Sequence, residues 1–199
     1  MEFSELERYK KYLKSLDKIL DKYFEDQKEY ICCKKGCSHC CEKGSYPYSK
    51  TEFEYLLIGF FKLDSKEQQE TIKRIKALKK EHESTENKRE IMYRCPFLNE
   101  SGICTVYDYR GLICRTFGLL KPDKNNEIIM PFCQSLGLNY SKIYNKAEKR
   151  LDETLIAKHN CKNRPKAYNI GLKTIMSKEF FADETPIEFG EIKSLIEWL

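Results

Sequence analysis

Cys33-Lys34-Lys35-Gly36-Cys37-Ser38-His39-Cys40-Cys41 sets four thiols within nine residues, and Cys32 stands directly upstream. A second, looser run follows at Cys95, Cys104, Cys114 and Cys133. Cysteine at this density has two common physical explanations: a disulfide framework, or thiolate ligation of a soft metal or cluster. The sequence argues for the second. Its opening residues, Met1-Glu2-Phe3-Ser4-Glu5-Leu6-Glu7, lack the basic-then-apolar pattern of a secretory signal. A chain of 199 residues also buries enough core to fold without covalent staples. In a reducing cytosol the vicinal pairs Cys32-Cys33 and Cys40-Cys41 are redox liabilities unless they are occupied. The expected setting is therefore cytoplasmic, with the thiols bound to metal.

Four thiolates close a tetrahedral zinc site or hold one iron–sulfur cluster. The candidate ligands are Cys33, Cys37, Cys40, Cys41, Cys95, Cys104, Cys114 and Cys133, enough for two sites or for one with spare thiols. Structural zinc modules present two tight pairs, and the second run contains none. Clusters draw more readily on separated loops, so the spacing leans toward iron–sulfur and leaves zinc open. Cys40 and Cys41, as neighbours, point in different directions, which makes one ion an awkward home for both. His39 reads first as an exposed loop residue, and neither His82 nor His159 has a second histidine at ligand spacing. Cys32 and Cys161 lie outside the pattern, as buried apolar residues or accessory thiols. Around the second run, Asp108, Arg110 and Arg115 bracket Cys104 and Cys114. The two guanidinium groups would offset thiolate charge and donate to sulfur; the competing reading is a local ion pair with Asp108.

Charged residues make up 34% of the chain, and the net charge is +5. Lysine and glutamate are interspersed between positions 66 and 90, the pattern of solvated helix faces, so nucleic acid is not an expected partner. No apolar run approaches the roughly 18 residues needed to span a bilayer. Leu6, Tyr9, Leu13, Leu16, Leu20 and Tyr23 recur at steps of three and four, predicting a helix over 4–28. Ser49-x-x-Glu52 reads as a capping box opening a helix through 62 with Phe53, Leu56, Leu57 and Phe60 inward. Ser65-x-x-Gln68 opens the next helix, with Ile72, Ile75 and Leu78 inward and fraying near 84–87. A hairpin turning at Ser101-Gly102, a brief helix over 110–117, a strand over 128–130, a helix over 141–158 and a last helix over 192–199 complete the reading. The predicted fold class is mainly α: one domain over 1–199, helical around a small irregular cysteine-rich metal centre with one or two short β elements. Its parts are the N-terminal helix, a cysteine core over 33–133 and a C-terminal helical extension over 134–199.

Cys33-x3-Cys37-x2-Cys40-Cys41, then Cys95-Pro96-Phe97-Leu98, Gly102-Ile103-Cys104, Tyr107, Arg110, Cys114-Arg115 and Phe117, resembles the CxxCxxCC cysteine-cluster family, named for zinc or iron chelation. Members commonly carry Arg-Pro where this chain has Arg110-Gly111, a departure expected to loosen the turn before Cys114. More distantly, the cysteine clusters are similar to those of flagellin lysine N-methylases. The first resemblance implies a metal-binding protein with a storage, delivery, sensing or redox role, and a protein partner is left open. The second implies a metal-dependent protein-modifying enzyme. A structural, zinc-stabilised adaptor is the third reading.

Overall fold

The computed structural model describes residues 2–84, 92–177, 180 and 186–199. Its chain divides into two compact units. One comprises Met1–Tyr9, Gly36–Arg115 and Pro186–Leu199; the other comprises Lys10–Lys35 and Thr116–Thr185. The architecture is mainly helical, and the short strands pair two by two in antiparallel ribbons.

In the first unit, strand β1 (Pro47–Ser49) leads directly into helix α3 (Lys50–Phe61), after the one-turn helix α2 (His39–Glu42). The predicted capping box is formed: Ser49 Oγ accepts the Glu52 N–H and Glu52 Oε2 accepts the Ser49 N–H. That reciprocal pair satisfies two donors that helix geometry leaves orphaned. The inward face of α3 is Glu52, Tyr55, Leu56 and Gly59, rotated by one position from the expected Phe53, Leu56, Leu57 and Phe60. The cause is polar and steric. Glu52 is drawn inward by main-chain donors, and Gly59 lets the Tyr109 ring press so close that a Cβ would stand 2.5 Å from it.

Helix α4 (Ser65–Glu83) turns two of its three predicted inward residues, Ile75 and Leu78, to the core. Its cap is Asp64, whose carboxylate accepts the Glu67 N–H, one residue before the predicted start. Thr71 and Leu78 are buried, with Arg74 and Ile75 half-buried, whereas Ile72 is exposed. Arg74 is pulled in because its Nε donates to the Pro96 carbonyl and its Nη2 reaches Glu67. Ser84 closes the helix, and the remainder of the predicted frayed patch lies outside the described residues. After it comes the expected turn: Gly102 has φ +73°, Asn99 pairs with Ile103, and Leu98 bridges Cys104. A 3-10 turn (Tyr107–Tyr109) and helix α5 (Leu112–Thr116) follow.

The predicted helix over 192–199 is in fact strand β6 (Ile192–Ser194) followed by helix α8 (Leu195–Trp198). β6 pairs antiparallel with β1, Tyr48 opposite Lys193. A partner so distant in sequence cannot be read from local periodicity. The core of this unit is Tyr46, Tyr48, Leu56, Leu78, Tyr93, Phe97, Val106, Leu195 and Ile196, with Cys95, Cys104 and Cys114 packed at its margin.

Helix α1 spans Phe3–Asp26 and buries Tyr9, Leu13, Leu16 and Leu20 of the predicted stripe; Leu6 and Tyr23 at its ends are half-buried, and Tyr12, outside the stripe, is buried too. From Lys10 onward it belongs to the second unit. There Tyr30, Leu120, Tyr140, Ile143 and Ile156 form a small core. The expected strand over 128–130 is β3 (Ile128–Ile129), which pairs with β2 (Lys121–Pro122) in a hairpin that was not predicted, with Asn126 at φ +62° in its turn. The predicted helix over 141–158 is broken into a 3-10 turn (Ser141–Ile143), a ribbon of β4 (Tyr144–Asn145) and β5 (Arg150–Leu151), and helix α6 (Glu153–His159). Asn145 explains the break: its side chain accepts the Ala147 and Glu148 N–H groups, capturing donors a helix would need. Asp152 then restarts the helix by accepting the Leu155 N–H. Helix α7 (Leu172–Ile175) is a single turn.

Candidate metal centre

The first unit gathers Cys37, Cys40, Cys41, Cys95, Cys104 and Cys114; Cys33 and Cys133 belong to the second. Cys40 and Cys41 ride on α2, whose start is marked by the Cys41 and Glu42 N–H groups donating to the Ser38 carbonyl. The chain leaves through an antiparallel bridge between Gly44 and Tyr93, and the Cys95 N–H donates to the Cys41 carbonyl at 2.8 Å. The two cysteine runs therefore meet along their backbones. Arg94 fastens the join: it donates to Glu42 on one side and to the Leu98 and Asn99 carbonyls on the other. Those carbonyls belong to the hairpin that delivers Cys104.

Cys114 arrives on α5, whose entry is held by two residues that the sequence did not single out as site residues. Tyr48 Oη accepts the Gly111 N–H at 3.0 Å, and Glu52 Oε1 accepts the Leu112 N–H at 2.7 Å. The Tyr48 hydroxyl also lies 3.6 Å from Cys114 Sγ. Gly111 is required for this approach, because a Cβ there would stand 2.6 Å from the Tyr48 ring. The turn expected to be loosened by Gly111 is thus tied down by a donor that proline lacks. Tyr46, equally buried, donates to the Cys40 carbonyl at 2.8 Å.

The electrostatics mark the same place. Burial pushes the Cys95 thiol well above its ordinary pKa, and the charges of Cys114, Cys41 and Cys104 add to the shift. Burial likewise lifts Cys104 to about 11, against the opposing influence of Arg110, and Cys114 to about 12. Cys41 is raised first by its contact with Cys40, whose sulfur is 4.0 Å away, and then by burial. Four thiols from three segments thus destabilise one another's ionisation, only partly offset by Arg94 and Arg110, a situation that a cation reverses. The donors are all sulfur, which suits zinc, iron or an iron–sulfur cluster. Among the described residues, however, no three His, Cys, Asp or Glu side chains stand close enough together to hold a metal ion as they are. The donor chemistry fits the group, and closing the site requires the sulfurs to draw in.

Arg110 and Arg115 occupy the predicted neighbourhood. Arg110 lies over the Tyr107 ring, 4.0 Å from its centre, and donates to the Tyr107 carbonyl. Arg115, buried, donates to the Asp108 and Arg110 carbonyls, and its charge bears on Glu52. His39 is exposed, as expected. In the second unit, the buried Asn139 side chain donates to Cys33 Sγ and to the Gly118 carbonyl, both at 3.0 Å, and accepts the Cys32 N–H at 2.7 Å. Cys161 packs against that unit's core, and Cys133 is buried in a 3-10 turn (Phe132–Leu136). None of the ten cysteines forms a disulfide.

A family model matches residues 32–134: CxxCxxCC, described as "Putative zinc- or iron-chelating domain". The match spans just over half of the chain, which belongs to this family. That description agrees with the expected zinc or iron–sulfur cofactor. No curated protein and no solved structure gives a significant match. Among the described residues, no helix is long and apolar enough to cross a membrane.

Proposed function

We propose that this is a cytoplasmic thiolate metal protein whose centre is built by Cys41, Cys95, Cys104 and Cys114, with Cys40 and Cys37 as further donors from the same unit. The observation that carries the reading is geometric: Cys95, Cys104 and Cys114 stand at one margin of a core, the Cys95 N–H is bonded to the Cys41 carbonyl, and these four thiols burden one another's ionisation. The vicinal pair also suits it. Zinc–sulfur bonds of about 2.3 Å in a tetrahedron put neighbouring sulfurs about 3.8 Å apart, close to the 4.0 Å between Cys40 and Cys41. Both can therefore face one metal or cluster. When bound, such a group offers electron transfer if it is an iron–sulfur cluster, and a structural or storage role if it is zinc.

The test is anaerobic purification followed by metal analysis, acid-labile sulfide assay and visible absorption. Iron with sulfide and a broad charge-transfer band is the result expected for a redox or sensing role. Stoichiometric zinc in a colourless protein assigns the structural or storage role. Folded protein that takes up neither metal overturns the reading.

A further inference from the structure

Tyr48 is a buried phenol with two neighbours that fix what its single proton can do. The Gly111 N–H, at 3.0 Å, points at the hydroxyl oxygen and occupies it as an acceptor. A phenol has one donor to place. The sulfur of Cys114, at 3.6 Å, lies within reach of that donor. The Tyr48 ring cannot swing aside freely: its main-chain carbonyl accepts the Trp198 indole N–H at 2.9 Å, its strand is paired with β6, and Gly111 lies flush against the ring. Tyr46, two residues earlier on the same segment and just as buried, spends its proton on a main-chain carbonyl instead.

We infer that Tyr48 is a positioning residue for the metal centre: its hydroxyl donates to the Cys114 thiolate and lowers the electron density that this sulfur offers the metal. The inference rests on the function proposed above. Hydrogen bonds to ligand sulfur are one of the means by which proteins set the electronic character of thiolate centres. Gly111 is part of the device, because it gives both the space and the N–H that aim the phenol. A cysteine ligand that receives a hydrogen bond binds as a weaker donor, so its sulfur-to-metal charge transfer requires more energy than that of an unassisted thiolate.

Cobalt(II), loaded anaerobically into the reduced full-length protein, is the probe. Tyr48→Phe removes the donor while keeping the ring; Tyr46→Phe removes a comparable hydroxyl that serves no sulfur. The band position is read per bound cobalt, so that any change in stoichiometry does not enter the comparison. The sulfur-to-cobalt band should move to longer wavelength in Tyr48→Phe and stay in place in Tyr46→Phe. Coincident bands in wild type and Tyr48→Phe, or equal shifts in both variants, overturn the inference while leaving the metal-binding proposal intact. Wild-type protein that acquires no sulfur-to-cobalt band defeats that proposal and this one with it. Should Tyr48→Phe not fold, a fluorotyrosine placed at position 48 keeps ring and hydroxyl and makes the phenol a stronger donor: a sulfur-to-cobalt band moved to shorter wavelength supports the hydrogen bond, and an unmoved band overturns it.

Discussion

Glu52 and Leu112, 60 positions apart in the chain, are joined by a hydrogen bond in which Glu52 Oε1 accepts the Leu112 N–H at 2.7 Å. The same carboxylate closes the α3 capping box through its other oxygen, so one side chain, 1% exposed, fixes the start of two helices. Because α5 carries Cys114, a capping residue also sets the position of a candidate ligand.

Replacing Glu52 with alanine should cost about 2–4 kcal/mol, combining loss of a cap with an unpaired buried N–H at Leu112. The pH dependence has a definite sign. Burial raises the Glu52 carboxyl above the ordinary glutamate value, so the folded state holds its proton more tightly than the unfolded state. The associated stability is complete below the ordinary value of about 4.3 and declines as pH rises from there through the folded value. Denaturant titrations of wild type and Glu52→Gln across this window should show the slope in the wild type alone. Parallel curves would remove Glu52 as its source.

The thiols obey the same linkage. Cys104 and Cys114, lifted to about 11 and about 12, should be neutral and slow to alkylate at neutral pH in reduced, metal-free protein. Their contribution to metal-free stability is present below the ordinary thiol value of about 8.5 and fades as pH rises through the folded values. Metal binding must expel those protons, so affinity should climb with pH and each ligand should release about one proton. Cobalt titration with a pH indicator measures the release; binding without proton release contradicts the assignment.

Substitutions at individual cysteines should separate the centre from its surroundings. Cys95→Ser and Cys114→Ser are each expected to lower metal content several-fold, since a missing thiolate leaves the others unbalanced. Cys161→Ser should leave it unchanged. Metal analysis of the three purified variants decides, and equal loss in all three would refute the assignment.

Gly118 and Gly137 both have left-handed backbones, at φ +99° and +78°, but their surroundings differ. A Cβ at Gly118 would lie 2.2 Å from Cys33 Sγ and 2.9 Å from Asn139 Nδ2, whereas one at Gly137 meets nothing within 4 Å. Gly137→Ala should cost about 1 kcal/mol of backbone strain. Gly118→Ala should cost about 1–3 kcal/mol more through overpacking, and should disturb the Asn139 hydrogen bonds to Cys33 and Cys32. Thermal unfolding of the pair provides the comparison, with equal melting losses as the contrary result.

Much of this was legible because the signals are local. The α1 stripe, the Ser49–Glu52 box, the Gly102 turn and the short helix bearing Cys114 all depend on residues within a few positions of one another. The inward face of α3 was read one step out and that of α4 missed only at Ile72, since a hydrophobic pattern gives no weight to Glu52, Thr71 or Arg74, which are held inside by hydrogen bonds. Tyr48 and Asn139 carried no signal at all. Each acts through partners far along the chain, and nothing in Tyr46-Pro47-Tyr48 announces that one hydroxyl will meet a carbonyl and the other a sulfur.

The pairing of β1 with β6 has a consequence for the order in which the molecule is made. The indole that clamps the Tyr48 carbonyl lies 150 positions downstream of it, and every cysteine of the chain precedes β6. On the ribosome, the thiols from Cys37 to Cys114 emerge while the strand that pairs with the Tyr48 segment is still untranslated. During that interval Tyr48, the phenol beside Cys114, lacks the strand and the indole that hold its main chain, and its seating awaits the arrival of Ile192–Ser194 and Trp198.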